Sequence, residues 1–242
     1  MPIVTVLGAK GGCGASLVAA NLALALAGLS PGRTILADLH VRDGIADLLL
    51  DLRAAHSWSD LLPVAGELTS RHLDMVVQTH ASGLRLLAGP AGAPAGDWPP
   101  ACRALLRNLA DAFEWVVLDS STSLAAMSTW SDRAEVILLV ATADPPALRG
   151  AQRLLASLGS KDQLRAHLVL NQFGRSHPAD PASVAHSLPC RLLEVLPMDP
   201  RAVGFQIHFG RPCVLDALSP FGRAVTRMAK ALAAGSAWGK DA

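Results

Sequence analysis

Apolar positions along this 242-residue chain fall into short runs that alternate with longer stretches of helical period. Ile3–Leu7, Thr34–Asp38, Ser82–Ala88, Trp115–Asp119, Glu135–Ala141, His167–Asn171 and Leu192–Leu196 read as strands, most of them continuously apolar as buried strands are. Helical spacing predicts helices over about Ser16–Gly28, Ala101–Phe113, Ala147–Leu158 and Pro220–Ala234. The last of these places Phe221, Val225, Met228, Ala229 and Leu232 on one face, bordered by Arg223, Arg227 and Lys230. Arg53–Ala81 reads as short helices and loops, and Gly89–Pro100 as a Pro/Gly/Ala loop. This alternation predicts an α/β fold: a three-layer, doubly wound, mostly parallel sheet of about seven strands with helices on both faces. A single domain over residues 1–242 is expected, with a frayed tail from Gly235.

Composition narrows the class. The chain is 51% apolar and 17% charged, ample for a large core, and its net charge of +1 gives no global drive toward nucleic acid or an anionic membrane. Cys13, Cys102, Cys190 and Cys213 form no C-x-x-C pair and do not cluster with histidine, which argues against zinc and a disulfide scaffold and fits a reducing cytoplasm. No signal-peptide pattern precedes the first strand, and Leu17–Leu29, interrupted by Asn21, is too short to span a bilayer. A soluble protein is expected.

The chemistry concentrates after the first strand, in Gly8-Ala9-Lys10-Gly11-Gly12-Cys13-Gly14-Ala15-Ser16. A strand, a glycine loop and a helix N-terminus make a phosphate cradle, because small residues let backbone N–H groups approach an anion and the helix dipole favours it. Against the P-loop pattern G-x-x-x-x-G-K-[ST], Ala9 replaces the first glycine and Ala15 the lysine; Ser16 remains for Mg²⁺, and Lys10 lies upstream. Cys13 is expected to serve as a small residue within reach of an alkylating agent. Two strands end on acids, Asp38 and Asp119, and in open α/β sheets ligands bind beyond such ends. Asp119, after an apolar strand, has the Walker B arrangement and could hold Mg²⁺ opposite Ser16. The hydroxyls of Ser120-Ser121-Thr122-Ser123 could contact phosphate or cap the next helix.

The K-G-G-x-G-x-[ST] core with its early lysine resembles the deviant Walker A loop of the ParA/MinD superfamily of P-loop ATPases. The Ala15-Ser16 ending, the Gly44/Asp47 pattern before a leucine-rich segment and the Ser82-Gly83-Leu84 strand opening are similar to its CpaE/TadZ branch, associated with Tad (Flp-type) pilus assembly. The resemblance spans nearly the whole chain. It implies ATP or ADP with Mg²⁺ as ligands, nucleotide contacts from Lys10, Gly11, Gly12, Cys13, Gly14, Ala15 and Ser16, metal contacts from Ser16 and Asp119, and catalytic roles for Lys10, Asp38 and Asp119. Asn171, followed by Gln172, resembles the element that reads adenine, and Pro197 the loop that covers it. Gly210-Arg211-Pro212 resembles the turn before the closing helix. In this family Lys10 would reach across a homodimer formed in the ATP state, and the helix bearing Arg149 and Arg153 would approach that interface.

Where the superfamily commonly has D-x-D, this chain has Asp38-Leu39-His40, so weak or absent hydrolysis is expected of an ATP-gated positioning protein. The implied partners are pilus-assembly or polar-localisation proteins, at a cell pole or peripherally at the inner membrane. Two alternatives stand beside this reading. One is an active ParA/MinD-type ATPase, for which DNA contact would need a patch from Arg201, Arg211, Arg223, Arg227 and Lys230, or membrane contact the last helix. The other is a nucleotide-free scaffold.

Overall fold

Eight strands form one sheet in the computed structural model, which describes residues 2–92, 98–130, 133–174 and 176–235. They are β1 (Ile3–Gly8), β2 (Thr34–Asp38), β3 (Gln78–Thr79), β4 (Arg85–Leu87), β5 (Trp115–Ser120), β6 (Val136–Ala141), β7 (Ala166–Phe173) and β8 (Arg191–Pro197). The helices are α1 (Ala15–Leu29), α2 (Ala46–Leu49), α3 (Ser70–Val76), α4 (Trp98–Ala112), α5 (Leu124–Trp130), α6 (Pro145–Ser157), α7 (Ser160–Gln163), α8 (Pro181–His186), α9 (Pro200–Phe209) and α10 (Pro220–Ala233), with 3₁₀ turns over Trp58–Glu67 and Cys213–Leu215.

The spatial order is β3-β4-β2-β5-β1-β6-β7-β8, parallel except for β3. The central strands β1, β2, β5 and β6 are buried nearly throughout, which is why their sequences run apolar without alternation. One face packs under α1, α2, α9 and α10, the other under α3, α4, α5, α6, α8 and the Trp58 turn. This is the expected three-layer architecture.

Three features depart from the sequence expectation. The sheet has eight strands because Gln78 and Thr79, inside a stretch read as short helices and loops, pair antiparallel with β4 at the edge. Helix α9 occupies residues for which the sequence predicts no element; Pro200 starts it and the Asp199 carboxylate accepts the Ala202 N–H at 3.1 Å. Helix α4 begins at Trp98, inside the expected loop, so that loop ends earlier. The apolar stripe of α10 (Phe221, Val225, Met228, Ala229 and Leu232) is buried against α1 and β8. The expected frayed tail lies, beyond Gly235, outside the described residues. No helix among the described residues is long and apolar enough to cross a membrane.

Candidate functional site

Strands β2, β5, β1 and β6 lie side by side, and the glycine loop leaves the carboxyl end of β1 at their centre. A cleft of about 570 Å³ opens there, lined by residues 8–17, His40, Ser120, Ser121, Thr122 and Gln172 among others. Its floor is shaped by Gly14, which caps α1 in a left-handed conformation with φ of 87°. A Cβ at Gly14 would stand 2.5 Å from the Asn171 amide nitrogen, so both backbone angle and space require glycine. Asn171 Nδ2 donates to the Cys13 carbonyl at 2.8 Å, and Gln172 Nε2 to the Gly12 carbonyl at 3.4 Å. A trans peptide whose carbonyl is held on one side turns its N–H to the other. The two amides therefore fix the orientation of the loop's N–H groups. Gln172 does so from a left-handed backbone angle, φ 56°, at a bulge between β7 and β8.

Asn171 is thus buried and engaged with the loop, while Gln172 is the amide that lines the cleft. Pro197 ends β8 beside Phe173, and the Met198 N–H donates to the Phe173 carbonyl at 3.3 Å. Cys13 is buried at 1% exposure, so the expected reach of an alkylating agent is corrected: its side chain packs beneath the loop, against Gly8. Ser16 lies in the first turn of α1 and lines the cleft with Gly11, Gly12 and Ala15. Ser123 Oγ accepts the Ala126 N–H at 3.2 Å, a cap for α5, whereas Ser120, Ser121 and Thr122 line the cleft.

The two strand-end acids are in register: Asp38 pairs with Asp119 across β2 and β5. Asp38 is 1% exposed and Asp119 fully buried. Asp38 is well supported, its Oδ1 accepting the His40 N–H at 3.0 Å and its Oδ2 the Ala46 N–H at 3.2 Å. Gly44 keeps that space open, since a Cβ there would stand 2.6 Å from Asp38 Oδ2. Trp58 Nε1 fixes the Asp38 carbonyl at 2.8 Å. His40 sits between the acids, with Nδ1 3.0 Å from Asp38 Oδ1 and 3.6 Å from Asp119 Oδ2. Burial opposes charge on this ring, but the Asp38 hydrogen bond and the charges of Asp119, Asp38 and Asp43 outweigh it and raise His40 to about 9. Burial pushes the Asp119 carboxyl up to about 7; Asp38 and Asp43 push the same way, while His40 and the Ser16 hydroxyl oppose it. Neither Asp119 oxygen accepts a hydrogen bond of ordinary geometry.

Lys10 faces away from these acids. Its Nζ pairs with Asp144 Oδ2, the N-cap of α6, at 3.2 Å, with both side chains partly exposed. Beside it a second hollow of about 490 Å³ is lined by Lys10, Pro145, Pro146, Arg149, Gly150 and Arg153. The structure brings Lys10 through Ser16, Asp38 and Asp119 to one end of the sheet. The basic residues considered for DNA are partly neutralised: Arg201 pairs with Asp216 at 3.4 Å and Arg227 with Glu194 at 3.2 Å. Sequence reasoning did not assign Gln172 to the loop or the bridging position to His40. The N-Q pair ending β7 and the D-x-H spacing were the signals that could have found them.

The architecture now has comparisons. A ParA family ATPase from Chlorobium tepidum TLS superposes with a TM-score of 0.85 at 21% identity, over 95% of this chain and 98% of that one. The fold is that of the ParA/MinD P-loop ATPases. The septum site-determining protein MinD from Pyrococcus horikoshii OT3, complexed with Mg-ADP, matches at 0.78 and 25% identity over 98% of each chain. MinD in the MinC:MinD cell division complex of Aquifex aeolicus matches at 0.80 and 21% identity, over 97% and 96% of the two chains. No protein-family model and no curated protein matches the sequence.

Proposed function

We propose that this chain binds ATP and dimerises under its control, as a positioning protein of the CpaE/TadZ type in pilus assembly or secretion, and that it hydrolyses ATP weakly or not at all. The observation that carries the reading is the division of labour around the loop. The cradle holds glycines and fixed carbonyls but no lysine at Ala15, and the one loop lysine, Lys10, is held outward on Asp144. A cation so placed is available to the phosphates of a second copy, with Arg149 and Arg153 beside it.

The residues present fit a magnesium–nucleotide ligand. Asp119 is a buried carboxylate that accepts no hydrogen bond of ordinary geometry, a group that a nearby cation satisfies, and Ser16 faces the same cleft. Ser16 and Asp119 would hold Mg²⁺, and the loop from Gly11 to Ser16 would hold the phosphates, as the MinD structure with Mg-ADP supports by likeness. When bound, Mg²⁺ neutralises charge on the phosphate oxygens. Gln172 and Asn171 keep the loop amides oriented, and Lys10 supplies charge from the side. His40 supports slow turnover: its ring is engaged with Asp38 at 3.0 Å, at the position where an acid would orient the attacking water.

Thermal unfolding with and without Mg²⁺–ATP, read beside light-scattering mass for the wild type and Lys10→Ala, tests this. Saturation to about 100 times Kd stabilises by about 2.7 kcal/mol, or about 5–10 °C for a chain of this size. The expected result is that rise with a monomer-to-dimer shift, the shift lost in Lys10→Ala, and phosphate release far below that of an active ParA-type ATPase assayed in parallel. No response to nucleotide in stability or mass would leave a scaffold without ligand; brisk phosphate release would make it a cycling ATPase.

A further inference from the structure

The corner behind the phosphate loop carries more negative charge than its surroundings satisfy. Asp38 and Asp119 stand in register on adjacent strands, both buried, and the His40 ring reaches both of them. Among the described residues these three form a cluster in which one ligand atom from each lies within 4.8 Å of the others. The separations are informative. Two ligands about 2.1 Å from one ion stand about 3.0–3.4 Å apart in octahedral or tetrahedral geometry. His40 Nδ1 lies 3.0 Å from Asp38 Oδ1 and 3.6 Å from Asp119 Oδ2, two separations close to those edges.

We infer that Asp38, His40 and Asp119 form a binding site for a divalent transition-metal ion of the Zn²⁺/Co²⁺ class, loaded without nucleotide. One imidazole and two carboxylates suit a borderline ion better than Mg²⁺, which prefers oxygen and keeps its waters. The second independent sign is Asp119 itself, fully buried, with neither oxygen accepting a hydrogen bond of ordinary geometry and one of them 3.6 Å from His40. Asp38 is pre-set by the Ala46 N–H, and Trp58 anchors its backbone, so one of the three ligands is held in place before an ion arrives. His40, the least buried of the three, faces the cleft and gives an entry path. The site shares Asp119 with the Mg²⁺ reading above but needs neither ATP nor a dimer.

The test is direct binding to the full chain after chelator treatment, with no nucleotide present. Co²⁺ is titrated and followed by its visible absorption, and Zn²⁺ is measured by competition and by metal analysis after desalting. The expected result is one ion per chain, undisplaced by millimolar Mg²⁺. Losing an outer-shell partner weakens a metal site about 10–100-fold, so losing a ligand in His40→Asn or Asp119→Asn should weaken it by at least about 100-fold. His40→Asp, which keeps an anionic ligand, should shift preference toward Mg²⁺ and lose the nitrogen signature in the Co²⁺ spectrum. Far-ultraviolet circular dichroism of each variant establishes that it is folded. No Co²⁺ uptake by the wild type would overturn the site and leave His40 as a plain ion-pair bridge. Uptake unchanged in folded His40→Asn would assign the metal to other histidines or cysteines and overturn it equally. Neither result touches the nucleotide response, which is read separately through Mg²⁺–ATP stabilisation.

Discussion

Gly14→Ala, taken with Asn171→Ala, probes whether the loop is held by the contacts described. Two penalties act on Gly14→Ala. Alanine at φ 87° adopts a left-handed backbone at about 1–2 kcal/mol. Its methyl also falls 2.5 Å from Asn171 Nδ2, so the amide must leave the Cys13 carbonyl it meets at 2.8 Å. A buried pair separated in this way costs about 1–3 kcal/mol, giving about 2–5 kcal/mol in all. Asn171→Ala loses the same hydrogen bond but removes the obstacle, at about 1–3 kcal/mol. In the double variant the backbone strain remains and the clash does not, so the cycle should fall short of additivity by about 1–3 kcal/mol. Urea unfolding without nucleotide, followed by circular dichroism, measures all four corners. A cycle additive within about 0.5 kcal/mol would refute the contact between this glycine and this amide, and with it the claim that β7 orients the loop.

Other sites test other joints of the structure. Gly150→Ala in α6 should gain about 1 kcal/mol of helix propensity but place a Cβ 2.1 Å from the Ala9 carbonyl oxygen; since backbone cannot swing aside, a net loss of about 1–3 kcal/mol by urea unfolding is expected. Asn21→Leu strips a buried network in which Asn21 meets Gln206 at 2.7 Å and the Val214 N–H at 2.9 Å, and should cost about 2–5 kcal/mol; a change under about 1 kcal/mol would show the network to be dispensable. Burial pushes the Cys102 and Cys213 thiols up to about 12 and Cys190 to about 11, and Cys13 is shielded. Thiolate is the reactive form, so a neutral-pH thiol reagent should label the native chain slowly and all four cysteines only after denaturation; rapid native labelling would contradict this burial.

How much of this was legible beforehand follows from where the determining forces act. The central strands were readable because strands covered on both faces must be apolar throughout, and Val116, Val117 and Leu118 satisfy that within six residues. The glycine loop was readable because its backbone demands glycine locally. Edge strand β3 was not: two residues, Gln78 and Thr79, carry no period, and their strand state comes from pairing with Leu86 and Arg85. Helix α9 was hidden for a related reason. Its Gln206 is fully buried and its Phe205, Ile207 and Phe209 are exposed, the inverse of an amphipathic signal. What holds α9 is the polar network to Asn21, Leu49 and Cys213, the first two more than 150 positions away in the sequence.

The same distinction explains the site. Individual groups could be named from the sequence, since a loop lysine, a strand-end acid and a first-turn serine each have a local signature. Their relationships could not, because those depend on strand order. Asp38 and Asp119 are 81 positions apart in the chain and become neighbours only because β2 and β5 pair in register. That pairing puts two buried carboxylates together, a costly arrangement unless a positive charge lies between them. His40 stands at that point, two residues beyond Asp38. In place of a water-facing acid, it converts a corner that would repel itself into one that can be neutralised either by its own proton or by a metal ion. Replacing His40 with a second acid therefore adds a third carboxylate to the corner. Either more cation must then be bound there or stability must fall, and unfolding of His40→Asp with and without divalent cation separates these outcomes.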